Sequence, residues 1–212
     1  MKCHRRIALL CAMVLLLTGT AGAESISGRF GVTARGGFQV PADGEFTSSS
    51  AKFDTDTGFA VGGGFIYGIN NRLAAEVDVT YSQFDAKYNG ARLMEMEVTN
   101  VSVGLQYRVT PFNMLVPYMG AGIDILAANA KPVDALAAAG LGATDLDVDT
   151  TVGGHVNAGV DLFLTPDMAL NAEVRGVIGA ESDIKYSGNG TTIARFDPTS
   201  VTGLFGIRYF FR

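Results

Sequence analysis

The sequence predicts an all-β fold, an eight-stranded antiparallel transmembrane β-barrel with short periplasmic turns and longer extracellular loops. Three observations predict it. From Ile26 onward, apolar residues alternate with polar or small ones in eight separate runs, and a period of two sorts such residues onto opposite faces of a strand. The connections between runs alternate between short and long. A secretory signal precedes the first run, which directs the runs out of the cytoplasm.

Lys2, Arg5 and Arg6 form a basic n-region, Ile7–Leu17 an apolar h-region, and Ala21-Gly22-Ala23 an A-x-A cleavage site. The apolar stretch is shorter than the roughly 20 residues of a spanning helix. Arg5-Arg6 is read within a general secretory signal, because twin-arginine export carries folded cargo and a barrel stays unfolded until it reaches its membrane. Cys11 follows Leu10, where lipid attachment wants a small residue. Residues 1–23 are therefore expected to leave as a signal peptide, with cleavage between Ala23 and Glu24, and residues 24–212 to form the barrel. Intact mass of the outer-membrane fraction is expected to start at Glu24; a mature chain retaining Cys3 or Cys11 contradicts this.

Both cysteines depart with the signal, leaving no disulfide framework and no thiol chemistry. Cleavage removes three basic residues and no acid, so the formal charge moves from −5 to −8. Asp43, Glu45, Asp54, Asp56, Asp145, Asp147 and Asp149 fall in the expected loops. An acidic rim argues against nucleic acid as a partner.

The first run places Ile26, Gly28, Phe30, Val32, Ala34, Gly36, Phe38 and Val40 on one face, against Arg29, Thr33, Arg35 and Gln39 on the other. The second is read over 57–67, with Phe59, Val61, Phe65 and Tyr67 outward; the third over 73–84, with Val77, Val79 and Tyr81 outward. The fourth, 94–109, carries Val101, Val103, Leu105 and Tyr107 outward, but Met94, Met96 and Val98 have the opposite parity. That slip near Asn100 suggests a bulge or the point where the strand leaves the membrane. The remaining runs are read over 117–127, 148–163, 169–180 and 199–211. Each has the roughly 9–11 residues that a tilted strand needs to cross a bilayer. Gly62-Gly63-Gly64 and Gly153-Gly154 would weaken a soluble sheet but relieve crowding in a narrow barrel. Phe38, Phe59 and Tyr81 toward the outside, and Tyr67, Tyr107, Phe163, Tyr209 and Phe211 toward the periplasm, are read as two interfacial girdles. A soluble ligand-holding barrel would need the aliphatic face turned inward instead.

Val101-Ser-Val-Gly-Leu-Gln-Tyr107, Val116-Pro-Tyr-Met-Gly-Ala-Gly-Ile123 and Gly159-Val-Asp-Leu-Phe163, leading into Ala169-Leu-Asn-Ala-Glu173, resemble the outer membrane protein W family of small eight-stranded barrels. The resemblance extends in outline over the mature chain. It implies residence in the outer membrane and passage of small apolar molecules through a narrow barrel with a hydrophobic lining. The family's lining residues do not match clearly, so none is carried over. One departure is the C-terminus, where Arg212 follows Phe211; assembly signals of this kind usually end on an aromatic. Expected partners are outer-membrane lipid, the barrel-assembly machinery through the C-terminal strand, and a small apolar ligand.

Inward parity collects Arg29, Arg35, Arg108, Arg175 and Arg208 against Glu76, Asp78, Asp124, Asp161 and Glu173. Equal numbers of each sign predict a paired network that fills the barrel, since a buried charge is tolerable only when paired; an ion-selective lumen would favour one sign. Glu76 and Arg108, on neighbouring runs, are expected to pair. His155 is read as a hydrogen-bonded filler; the competing possibility is a nucleophile–base pair with inward Ser102. No catalytic residue, no metal centre and no cofactor is expected. In the third long loop, Val133–Gly142 has high helix propensity, with Gly140 or Gly142 as its end. Leu136 and Leu141 there are the candidate ligand gate; alternatively the helix covers the mouth and buries its own apolar residues. Two functions follow: passive passage of small apolar molecules, or a structural or adhesive surface barrel whose loops bind external partners.

Overall fold

The structure is a computed structural model that describes residues 25–42, 44–46, 52–88, 91–109, 114–132, 146–180, 182–186 and 192–211. Its strands are β1 (Phe30–Pro41), β2 (Gly44–Phe46), β3 (Lys52–Thr55), β4 (Gly58–Gly68), β5 (Leu73–Tyr88), β6 (Ala91–Arg108), β7 (Leu115–Pro132), β8 (Leu146–Val148), β9 (Thr151–Phe163), β10 (Met168–Gly179), β11 (Ser182–Tyr186), β12 (Thr192–Phe196) and β13 (Ser200–Phe210). Eight of them, β1, β4, β5, β6, β7, β9, β10 and β13, pair antiparallel in that order, and β13 pairs back onto β1 to close the barrel. Closure leaves no sheet edge, so backbone groups at membrane depth are satisfied within the wall.

Parity then decides which side chain meets lipid. Phe65, Val103, Ile123, Val156, Val174, Ile178 and Phe205 all stand exposed on the outer face. Their in-strand neighbours, such as Ser102, Asp124, Asn157 and Arg175, are buried in the lumen. Phe30 and Tyr67 meet at 4.6 Å toward the periplasm, and Phe59 and Tyr81 at 6.2 Å toward the outside. These rings mark the two membrane interfaces.

Four details depart from the expectation. The first strand begins at Phe30, because Gly28 takes φ 74° and turns the chain. This left-handed conformation suits glycine, and the turn flips the parity so that Ile26 points inward and is buried. No bulge occurs at Asn100: the β5–β6 register runs unbroken from Leu73↔Tyr107 to Ala86↔Met94 and shifts only beyond Ala86. Met94, Met96 and Val98 are therefore inward by ordinary alternation, and the lumen itself changes from polar to apolar. The sixth run divides into β8 and β9. Phe163 is not part of the girdle; it is buried in the lumen and stacks on Phe210 at 5.9 Å.

The long connections also carry structure. Pairings β3–β5, β7–β8, β8–β11, β11–β12, β12–β2 and β2–β3 form a second ring, which shares β5, β6 and β7 with the membrane barrel. β5, β6 and β7 run through both rings. On the opposite side, the breaks β1/β2, β3/β4, β8/β9, β10/β11 and β12/β13 interrupt five neighbouring parts of the wall. Phe59↔Gln83 and Thr151↔Leu126 place the β3/β4 and β8/β9 breaks level with Phe84 on β5 and Leu126 to Ala128 on β7.

Candidate functional site: a layered barrel interior

The interior is stacked in layers. At the periplasmic end, Ile26, Ile66, Ala74, Val116, Phe163, Ala169 and Phe210 form an apolar seal. Above it lies the charge network. Arg208 is fully buried; its Nη1 donates to Asp161 Oδ2 at 2.7 Å, Nη2 to Glu76 Oε1 at 2.9 Å and Nε to Thr33 Oγ1 at 3.1 Å. Arg108 Nη2 reaches the same Asp161 oxygen at 2.6 Å. Arg35 bonds Glu173 at 3.0 Å and also holds Asp78. Arg175 donates to Glu173 at 3.0 Å, to Ser102 Oγ at 3.1 Å and to Asp78 at 3.4 Å.

Eight of the ten residues assigned to an interior network thus meet in one lattice. The expected Glu76–Arg108 pair does not form. Glu76 stands opposite Gly104 on β6, four residues from Arg108, or about 13 Å along a strand. Arg108 instead reaches over β7 to Asp161 on β9, while Glu76 takes Arg208 and the amide of Gln106. Arg29 lies at the periplasmic rim, bound to Asp167 and to the carbonyls of Pro166, Phe210 and Phe211. Asp124 has no arginine partner among the described residues; it bonds His155 Nδ1 at 2.9 Å and Asn100 Nδ2 at 2.9 Å.

Tyr118 is the member that inward parity offered and the list of charges passed over. Its hydroxyl donates to Glu173 at 2.8 Å and accepts from Asn171 at 2.8 Å, and its ring lies under Arg108 and Arg208 at 5.9 and 5.4 Å. A neutral side chain thus spaces two guanidinium groups. His155 and Ser102 are not hydrogen-bonded to each other: His155 engages Asp124, and Ser102 accepts from Arg175. The His155 ring has room because Gly122 opposes it; a Cβ on Gly122 would come within 2.6 Å of the ring.

The upper interior is apolar. Phe84, Ala86, Met94, Met96, Val98, Leu126, Ala128, Ala130 and Val177 form one buried cluster, with Val148 against it. Sequence parity carried this signal in the inversion on the fourth run, which looked like a slip of register rather than a change of lining. At the outer rim, Lys87 pairs with Asp56 and Lys131 with Glu97. The hydrogen bond that Lys87 donates to Asp56 holds its ammonium above its ordinary pKa, and the one that Lys131 donates to Glu97 holds that carboxyl below its own. Such exposed pairs contribute little to stability. Leu136, Leu141, Ala23 and Glu24 lie outside the described residues.

A closed antiparallel barrel with an apolar outer face, aromatic interfaces and a charge-paired interior is a transmembrane β-barrel of the outer-membrane type. The chain belongs to the outer membrane protein beta-barrel domain family, whose sequence profile matches residues 9–206, and it is an outer-membrane protein. Its fold is that of OprG from Pseudomonas aeruginosa (19% identity, TM-score 0.69, covering 88% of this chain and 97% of that one). AlkL, solved in lipid bilayers, is also similar (16% identity, TM-score 0.56, 92% and 94%). So is outer membrane protein W of E. coli (18% identity, TM-score 0.50, 87% and 98%). The likeness to the outer membrane protein W group is thus met in the fold. No curated protein sequence matches the chain.

Proposed function

We propose that the protein passes small apolar molecules from the outside into the outer membrane, without catalysis. The observation that carries this is the apolar cluster in the upper lumen above a charge-paired plug. A purely structural barrel has no need to change its lining with height. Met94 and Met96 are unbranched and repack readily, so they can yield to a ligand. The plug blocks the axial route, and the molecule leaves sideways.

The wall supports that exit. Its β3/β4 and β8/β9 interruptions lie level with the apolar cluster. At one of them, a depression of about 340 Å³ brings lipid-facing Phe59 beside Phe84 of the interior. Leu136 and Leu141 remain the proposed gate at the mouth. The C-terminal strand, with Phe205, Ile207 and Tyr209 exposed on one face, is the proposed contact for the assembly machinery, and lipid is the proposed surround of the wall. The adhesive alternative rests on the second ring, a paired scaffold built from strands of the long connections.

Uptake of labelled octane in cells with and without the protein is the test. Wild type is expected to raise uptake, and Met96→Asp to abolish the gain while the folded barrel persists. Leu136→Ser with Leu141→Ser is expected to lower it if the gate acts. No gain from wild type contradicts passage and leaves the adhesive alternative. A gain that Met96→Asp leaves intact contradicts the route through the apolar cluster.

A further inference from the structure

Between the apolar cluster and the plug lies a cavity of about 20 Å³, lined by Asn100, Thr80, Ser82, Thr202 and Arg175 on its polar side. Gln39, Ser200 and Leu204 also line it, and Val98, Leu126 and Val177 on its apolar side belong to the apolar cluster. We propose that this cavity is a subsite for one hydroxyl group, so that the favoured ligand is an apolar molecule ending in an alcohol. The inference rests on the passage function above and names the class of molecule carried.

Asn100 supplies the second observation. It is 9% exposed, and its Nδ2 donates to Asp124 Oδ1 at 2.9 Å. Its Oδ1 is buried without a hydrogen-bond partner among the described residues. An unpaired buried acceptor carries its full desolvation cost until a donor arrives. The volume suits one water-sized group. A hydroxyl fits, donates to Oδ1, and leaves its alkyl chain among Val98, Leu126 and Val177.

Charge excludes the other head groups. A carboxylate has no proton to give Oδ1. The charge of Arg175 is already balanced by the carboxylates of Glu173 and Asp78 at 3.0 and 3.4 Å, so a third carboxylate there meets two like charges. Asp124 behind Asn100 repels it. An ammonium needs three acceptors and more room than one water-sized group. A plain alkane fills the apolar part and leaves Oδ1 unpaired.

The experiment uses the full mature chain in phospholipid nanodiscs, with asparagine side-chain amides ¹⁵N-labelled. 1-Decanol, decane, decanoate and decylamine are titrated separately. 1-Decanol is expected to shift the Asn100 amide signal saturably, and the other three are not. In cells, Asn100→Leu, checked for heat-resistant folded barrel, is expected to lower decanol uptake about five- to tenfold and leave decane uptake near wild type. If that variant does not fold, the wild-type titration decides alone. Equal shifts from all four probes, or none from decanol, overturn the subsite. A decanol-specific shift without uptake of any probe keeps the subsite and removes the passage function; uptake with no response at Asn100 does the reverse.

Discussion

Replacing Arg208 with Met is expected to cost about 3–5 kcal/mol of barrel stability. Arg208 is fully buried and bridges Asp161 and Glu76 at 2.7 and 2.9 Å. Without it, Asp161 keeps Arg108, but Glu76 retains only the longer contact to Arg35 at 3.4 Å and the Gln106 amide. A carboxylate left short of positive charge in the lumen is the source of the cost. Adding Glu76→Gln to Arg208→Met removes that charge and is expected to restore part of the loss. Urea unfolding in lipid vesicles, read by the heat-resistant band, measures both. A loss under about 1 kcal/mol for the single change would place the pair among exposed ones.

Arg placed at Val103 is expected to cost roughly 2–4 kcal/mol if the site is near the bilayer midplane. Val103 is 49% exposed on the outer face, between Val77 and Ile123 on the neighbouring strands. Phe205→Arg tests the far side of the barrel in the same way. Val103→Leu keeps an apolar surface against lipid and is expected to change stability little. The inward controls are limited by packing. Ser102 already holds Arg175, so a second guanidinium there meets a like charge. A Cβ on Gly206 would lie 2.0 Å from the Ala34 carbonyl. Thr80, on the wall of the small cavity, is the roomier inward position. Equal tolerance of Arg at Val103 and of Leu there would contradict the assigned outer face.

Alternation, taken with the secretory signal and the alternating connection lengths, carried the barrel, because lipid outside and a packed lumen inside impose opposite preferences on successive residues. Arg35, Asp161, Glu173, Arg175 and Arg208 were legible as interior charges for that reason. Their partners were not. Pairing across a lumen depends on shear and side-chain reach, so Arg108 finds Asp161 two strands away rather than Glu76 next door. The apolar cluster was visible only as an anomaly at Met94, Met96 and Val98. There the lumen-facing positions are themselves apolar, so the contrast between faces that marks lipid and lumen elsewhere is lost. The second ring rests on pairings between distant loops, such as β12 with β2, which no local pattern announces. Gly28 shows the converse case, in which one glycine turn moves Ile26 from the expected outer face to the inner seal.

Single-channel recording in planar bilayers tests the central claim most directly. Eight strands enclose an interior only just wide enough for side chains. Here those side chains are ion-paired above a seal that includes Phe163 and Phe210. The protein is therefore predicted to show no steady conductance step along its axis, with apolar molecules leaving through the wall instead. A large, steady conductance from the wild-type protein would contradict it.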